Sequence, residues 1–213
     1  MKTNEMISKL SGDLKPVESA DSSGRFFVKW ALASLLIVTA WLTLLPARPE
    51  LTRHFSQFSY VLESALWLAL SAISAFIVYR GRIPSLTAHK EIRWAQLAIA
   101  VLGISLIARE ASWNLGTQMI AEMDWYRGRC GSLIMVMALT WSGFLFTWAR
   151  KGAPTRPMAT GGWVAFSAGC LASFAMQVVC THENPLHEVV WHVVPVALLA
   201  VLGMSLGRRY LRW

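Results

Sequence analysis

Six apolar runs, each close to the length that crosses a bilayer, divide this chain. They cover about 26–45, 59–79, 92–108, 131–149, 159–179 and 189–206. A helix rising 1.5 Å per residue needs about 20 apolar residues to span the hydrocarbon. Backbone polar groups inside the membrane must pair within their own segment, which makes helices of such runs. The expected fold is therefore all-α, a polytopic membrane bundle of about six transmembrane helices. The first run stops at Pro46, and the third is the shortest. Charged residues make up only 15% of the chain, where a soluble domain carries about a quarter. Lys29 and Glu63 fall near run ends, from which their charges can snorkel to the interface. Trp30, Trp94, Trp148 and Trp191 stand where an aromatic belt would lie.

The net charge of +8 raises the question of nucleic acid. Its distribution answers against direct nucleic-acid binding, because the basic residues sit in short tracts between apolar runs rather than in a patch interleaved with aromatics. Fifteen of the twenty Lys and Arg lie in the N-terminal tail to Lys29, in 80–93, in 150–156 and in the C-terminal tail. The positive-inside rule places those four segments, and hence both termini, in the cytoplasm. The opposite face then carries Glu50, Glu110, Glu122, Asp124, Glu183, Glu188 and most of the histidines. The expected location is a bacterial inner membrane, multi-pass and in contact with lipid. The polar start lacks the early apolar core of a cleavable leader. The chain divides into a cytoplasmic tail, 1–25, and a membrane domain, 26–213. Ala65 and Ala69, Gly169 and Ser173, and Gly203 and Gly207 have the spacing that lets helices approach closely.

Two segments can carry function. In the tail, Met6, Ile7, Leu10, Leu14 and Val17 recur at three- and four-residue steps and form one apolar stripe on a helix. Thr3 or Asn4 can cap that helix and Pro16 stops it. Such a stripe docks into a partner's groove or lies on the membrane surface. The second segment is rich in thiols and imidazoles. Cys130 opens the fourth run and Cys180 closes the fifth, so the topology puts both at the periplasmic face. His182, His187 and His192 follow within twelve residues of Cys180. Together with Cys130 they are candidates for a soft or borderline metal, or for a plain His–Glu cluster. The five-residue step from His187 to His192 is not that of a zinc protease, whose two histidines share a helix face. The two thiols can form a permanent disulfide or a reactive pair. Arg127 and Arg129 precede Cys130, and His182 follows Cys180, where positive charge favours a thiolate. Cys170, mid-run among apolar neighbours, reads as an inert buried thiol. No Cys-x-x-Cys, P-loop or GxSxG is present. Ionisable residues are nearly absent from mid-run, which argues against an ion path.

The opening MISKLSGDLKPV, then DWYRGRCG, RKGAPTRP, CTHENPLHEVVWHVVPV and the closing GRRYLRW resemble the NrsF-type (negative regulator of sigma F) membrane anti-sigma factors over essentially the whole chain. The Cys-x-His, Pro-x-His and Trp-His block is the most specific part. The resemblance implies six spans, a cytoplasmic N-terminal segment that sequesters an extracytoplasmic-function sigma factor, and sensing of periplasmic oxidative or metal stress through cysteines. Its sensing residues fall on Cys130 and Cys180, with His182, Pro185, His187, Trp191 and His192 around them. Its sigma-binding residues fall on Met6, Leu10, Asp13, Leu14, Pro16 and Val17. No enzymatic activity and no cofactor are expected, apart from a metal ion. The alternative is a membrane enzyme exchanging thiols with a quinone, against which the missing Cys-x-x-Cys counts.

Overall fold

The computed structural model describes residues 3–12, 22–83, 86, 88–111, 129–182 and 184–212. All regular structure among them is helical. A short helix α1 (Thr3–Gly12) precedes α2 (Ser23–Leu44), a one-turn α3 (Leu51–Phe55) and α4 (Phe58–Gly81). Then follow α5 (His89–Ala111), α6 (Arg129–Arg150) and α7 (Pro157–Val179). The last long helix is composite, with α8 (Pro185–Glu188), a π-helical turn at Val189–Val193 and α9 (Val194–Tyr210). Six helices are long and apolar enough to cross a membrane, the composite Pro185–Tyr210 counting as one. The six expected runs are all present, each a few residues longer at one or both ends.

Ends follow from local chemistry. The Ser22 side chain accepts from the Arg25 N–H and caps α2, satisfying a donor that the first turn leaves open. Pro157 stands in the first turn of α7, where a missing N–H costs nothing. Arg80 pairs with Glu91 at 3.0 Å and ties α4 to α5 across their short connection.

Helix α7 is the hub, packed against α9, α4 and α6. Of its most apolar stretch 72% is buried, against 6% for α2. Leu32, Leu35 and Leu36 of α2 and Ile104 and Ile107 of α5 are exposed, as lipid-facing side chains of a bundle must be. Association in lipid relies on close packing and polar contacts rather than the hydrophobic effect. Both occur on α7. Gly161 faces Gly203 and Gly207, and a Cβ on any of the three would overlap backbone atoms of the other helix. Ser71 Oγ donates to the Ser167 carbonyl at 2.9 Å and Ser167 Oγ to the Ser71 carbonyl at 2.8 Å, locking α4 to α7. The spacing of Ala65 and Ala69 does not mark a tight contact, because Ala65 is exposed.

Two expectations about run ends fail. Glu63 does not snorkel: it is 0% exposed on the inner face of α4. Trp30 and Trp148 do not form a belt either, as both turn into the bundle, whereas Trp94 is exposed. Rings of this size fill inter-helix gaps when the neighbouring face offers aromatic partners.

A candidate thiol and imidazole site

At one end of the bundle the start of α6, the end of α7 and the start of the last helix converge. Cys130 is the second residue of α6. The next residue, Gly131, has no side chain to hold off the last helix. A Cβ there would lie 3.1 Å from the Trp191 ring and 3.2 Å from Pro195. Cys180 caps the C-terminus of α7, its N–H bonded to the Met176 carbonyl at 2.7 Å. The chain turns at once, and Asn184 Oδ1 accepts the Leu186 N–H at 2.9 Å to start α8.

The π turn decides where the histidines point. On an α-helix, residues five apart diverge by about 140° at 3.6 residues per turn. The wider π turn accommodates one extra residue and swings His192 back towards the side of His187. Their ring centroids are 5.8 Å apart. The five-residue step that separates two ligands on an α-helix therefore brings them together here.

The two thiol sulfurs are 3.5 Å apart and unbonded. His187 Nε2 is 3.5 Å from Cys180 Sγ. Ligand atoms of Cys130, Cys180, His187 and His192 all lie within 4.8 Å of one another. Each of the four residues is under 9% exposed. His182 stays outside this group. It stacks on His187 at a centroid distance of 4.3 Å, and its carbonyl lies 4.0 Å from Cys180 Sγ. A hydrogen bond from the Cys130 thiol, with help from His187, holds the Cys180 thiol below the usual cysteine range against the opposing effect of burial. The imidazole within hydrogen-bonding reach of it is thus His187 rather than the expected His182.

A buried polar network braces the site. Glu188, next to His187, accepts from Trp67 Nε1 at 3.1 Å and from Gln177 Nε2 at 2.8 Å. Tyr60 donates to the Gln177 carbonyl at 2.7 Å, and the Arg48 N–H to the Val178 carbonyl at 2.9 Å. These bonds fix the α8 turn and the end of α7 to α4 and to the α2–α3 connection. The sequence marks Glu188 only as an acidic neighbour of His187, and it gives Gln177, Trp67 and Tyr60 no signal beyond a polar or amphipathic side chain within an apolar run.

Of the other candidates, Cys170 is 0% exposed in the middle of α7, away from the pair. Met6 and Ile7 are exposed on α1, and Leu10 belongs to that helix. Asp13, Leu14, Pro16, Val17 and Arg127 lie outside the described residues.

The profile of the family described as Negative regulator of sigma F matches residues 10–213. A protein of Azospira oryzae (strain ATCC BAA-33 / DSM 13638 / PS), described as "Probable anti-sigma-F factor NrsF", is 27% identical to this chain over 100% of both chains. No solved structure matches. With six helices of membrane-crossing length and a family match that covers nearly the whole chain, this protein belongs to the negative regulator of sigma F family of anti-sigma factors.

Proposed function

We propose that the protein holds an extracytoplasmic-function sigma factor at the bacterial inner membrane through its N-terminal tail, and releases it when periplasmic oxidative or metal stress acts on Cys130 and Cys180. Membership of an anti-sigma family supports the sigma factor as partner. The exposed Met6 and Ile7 on α1 support the tail as its docking segment. Six crossings return a chain to the side it started from, and the excess of Lys and Arg supports the cytoplasm as that side.

The observation that carries the sensing role is the 3.5 Å separation of the two sulfurs at one end of the bundle. Closing them into a disulfide removes about 1.5 Å of separation. Two thiols give up two protons and two electrons to the oxidant as the S–S bond forms. The thiolate of Cys180 is the natural attacking group. The bond then joins the start of α6 to the end of α7. The protein acts by a shift between two populations rather than by turnover.

The test is capture of the sigma factor by the full-length protein in detergent, with and without a thiol oxidant. The proposal expects capture from the reduced protein and loss on oxidation. Cys130→Ser and Cys180→Ser should capture in both conditions. Equal capture by oxidised and reduced wild-type protein would refute thiol control, and no capture in either would refute the sigma-binding role.

A further inference from the structure

We infer that Cys130, Cys180, His187 and His192 form a four-coordinate site for a thiophilic divalent cation of the zinc and cadmium class. The inference deepens the reading of this end of the bundle as the sensing end, and its regulatory meaning rests on that reading.

Geometry comes first. A tetrahedral ion held by sulfur at about 2.3 Å and imidazole nitrogen at about 2.0 Å puts its donors about 3.3–3.8 Å apart. The two sulfurs stand at 3.5 Å, and Cys180 Sγ to His187 Nε2 is again 3.5 Å. All four donor atoms lie within 4.8 Å of one another, so a small inward movement closes the shell. The four come from three elements, namely the start of α6, the end of α7 and the last helix on both sides of the π turn. None is within hydrogen-bonding range merely by being a sequence neighbour.

A second observation is independent of that clustering. His192 is 3% exposed, yet neither of its ring nitrogens has a hydrogen-bond partner among the described residues. A buried imidazole without partners loses the hydrogen bonds that water gave it. A metal ion taking the lone pair of one nitrogen removes the deficit at that atom. The π turn that aims His192 at the thiols interrupts the α-helical ladder, and such turns are frequent at functional sites.

Charge selects the class of ion. Two thiolates and two neutral imidazoles carry a charge of minus two, which a divalent cation cancels. The resulting neutral centre suits a buried position, where net charge is costly. Binding displaces whatever protons the two sulfurs still hold. Two sulfurs and two nitrogens in a tetrahedron favour zinc-like ions over magnesium or calcium, which require oxygen. Glu188 stands beside His187 but is committed to Trp67 and Gln177, which braces the ligand helix from outside the shell.

The metal and the disulfide use the same two sulfurs. A bound ion therefore protects the pair from oxidation, and the disulfide abolishes metal binding.

The experiment is titration of the reduced full-length protein, purified in detergent, with Co2+ as a spectroscopic probe, followed by displacement with Zn2+. The expected result is one equivalent of Co2+ per chain, with the intense visible bands of tetrahedral Co2+ and a thiolate charge-transfer band in the near ultraviolet, both lost on adding Zn2+. His192→Ala and His187→Ala should each weaken binding by more than about tenfold. Cys170→Ser should bind as the wild type. Helical content by circular dichroism shows that each variant is folded. Zinc-loaded protein should also resist disulfide formation by diamide. Octahedral spectra, substoichiometric binding, or undiminished affinity in folded His192→Ala would overturn the site. Sigma-factor capture measured on the same preparations reports separately on the anti-sigma reading: retained capture with no metal binding sinks only the metal site.

Discussion

Phe26, the first buried residue of α2, lies against Trp148, with ring centroids 4.8 Å apart. Trp148 stands near the far end of α6, the helix that begins beside Cys130. Eighteen residues at 1.5 Å each separate the two by about 27 Å. One rigid helix thus runs from the thiol pair to the root of the N-terminal tail. Phe26 also stacks on Tyr79 at 4.8 Å, and the Arg82 guanidinium sits 3.9 Å from the Trp148 ring centre. A displacement of α6 at the thiol end would therefore reach the aromatic cluster from which the tail leaves the bundle.

Trp148→Ala should separate sensing from output. We expect Cys130 and Cys180 to oxidise as in the wild type when thiols are trapped in cells, while induction of target transcription falls about fivefold or more, the scale of a typical coupling free energy. Normal induction by a stably inserted Trp148→Ala would show that the signal takes another route.

The tail makes a sharper claim. Removing a well-buried interface side chain often costs more than about 1 kcal/mol, and two can release most of a partner. Leu10→Ala with Leu14→Ala should raise target transcription without any stress, and deletion of the first 20 residues should do the same while leaving the long helices inserted. Unchanged sigma-factor binding by the double variant at normal abundance would contradict docking through this stripe.

Gly203 tests the packing of the hub. A Cβ at this position overlaps the Gly161 backbone and the Ala165 side chain. Gly203→Ala should force α7 and α9 apart and destabilise the protein by about 1–3 kcal/mol, seen as a lower unfolding temperature in detergent. Gly143, with nothing within 4 Å of its Cβ position, is the control: Gly143→Ala should leave that temperature unchanged or raise it. Equal effects at both sites would mean that this close approach does not hold the bundle together.

Orientation follows from charge. Reporter fusions after Trp213 and within 150–156 should behave as cytoplasmic, because fifteen of the twenty Lys and Arg lie in the segments placed there. Strong periplasmic activity after Trp213 would reverse the assignment and put the thiol pair in a reducing compartment.

The number of long helices was legible because hydropathy integrates over twenty residues, and a few charges at the edges do not hide it. The same averaging misplaced details at the ends. Glu63 reads as a snorkelling charge from its position, yet the inner face of α4 buries it. Nothing in a single sequence says which way an end residue turns. The meeting of Cys130 with Cys180 was legible from topology alone, since consecutive antiparallel helices are neighbours. The approach of His192 was not. Its five-residue step from His187 points away on an α-helix, and nothing in that spacing signals the π turn at Val189–Val193 that reverses it. Helix α1 overlaps the first half of the stripe, from Met6 to Leu10, and the stripe's second half falls outside the described residues.

As a switch, Cys130 and Cys180 have two states that differ in redox chemistry. Trapping of free thiols in intact cells, before and after exposure to a thiol oxidant, tests it most directly. Both cysteines should be free before stress and joined to each other after it, with Cys170 free throughout. A pair already fully oxidised before stress would contradict it and make the bond a permanent structural one.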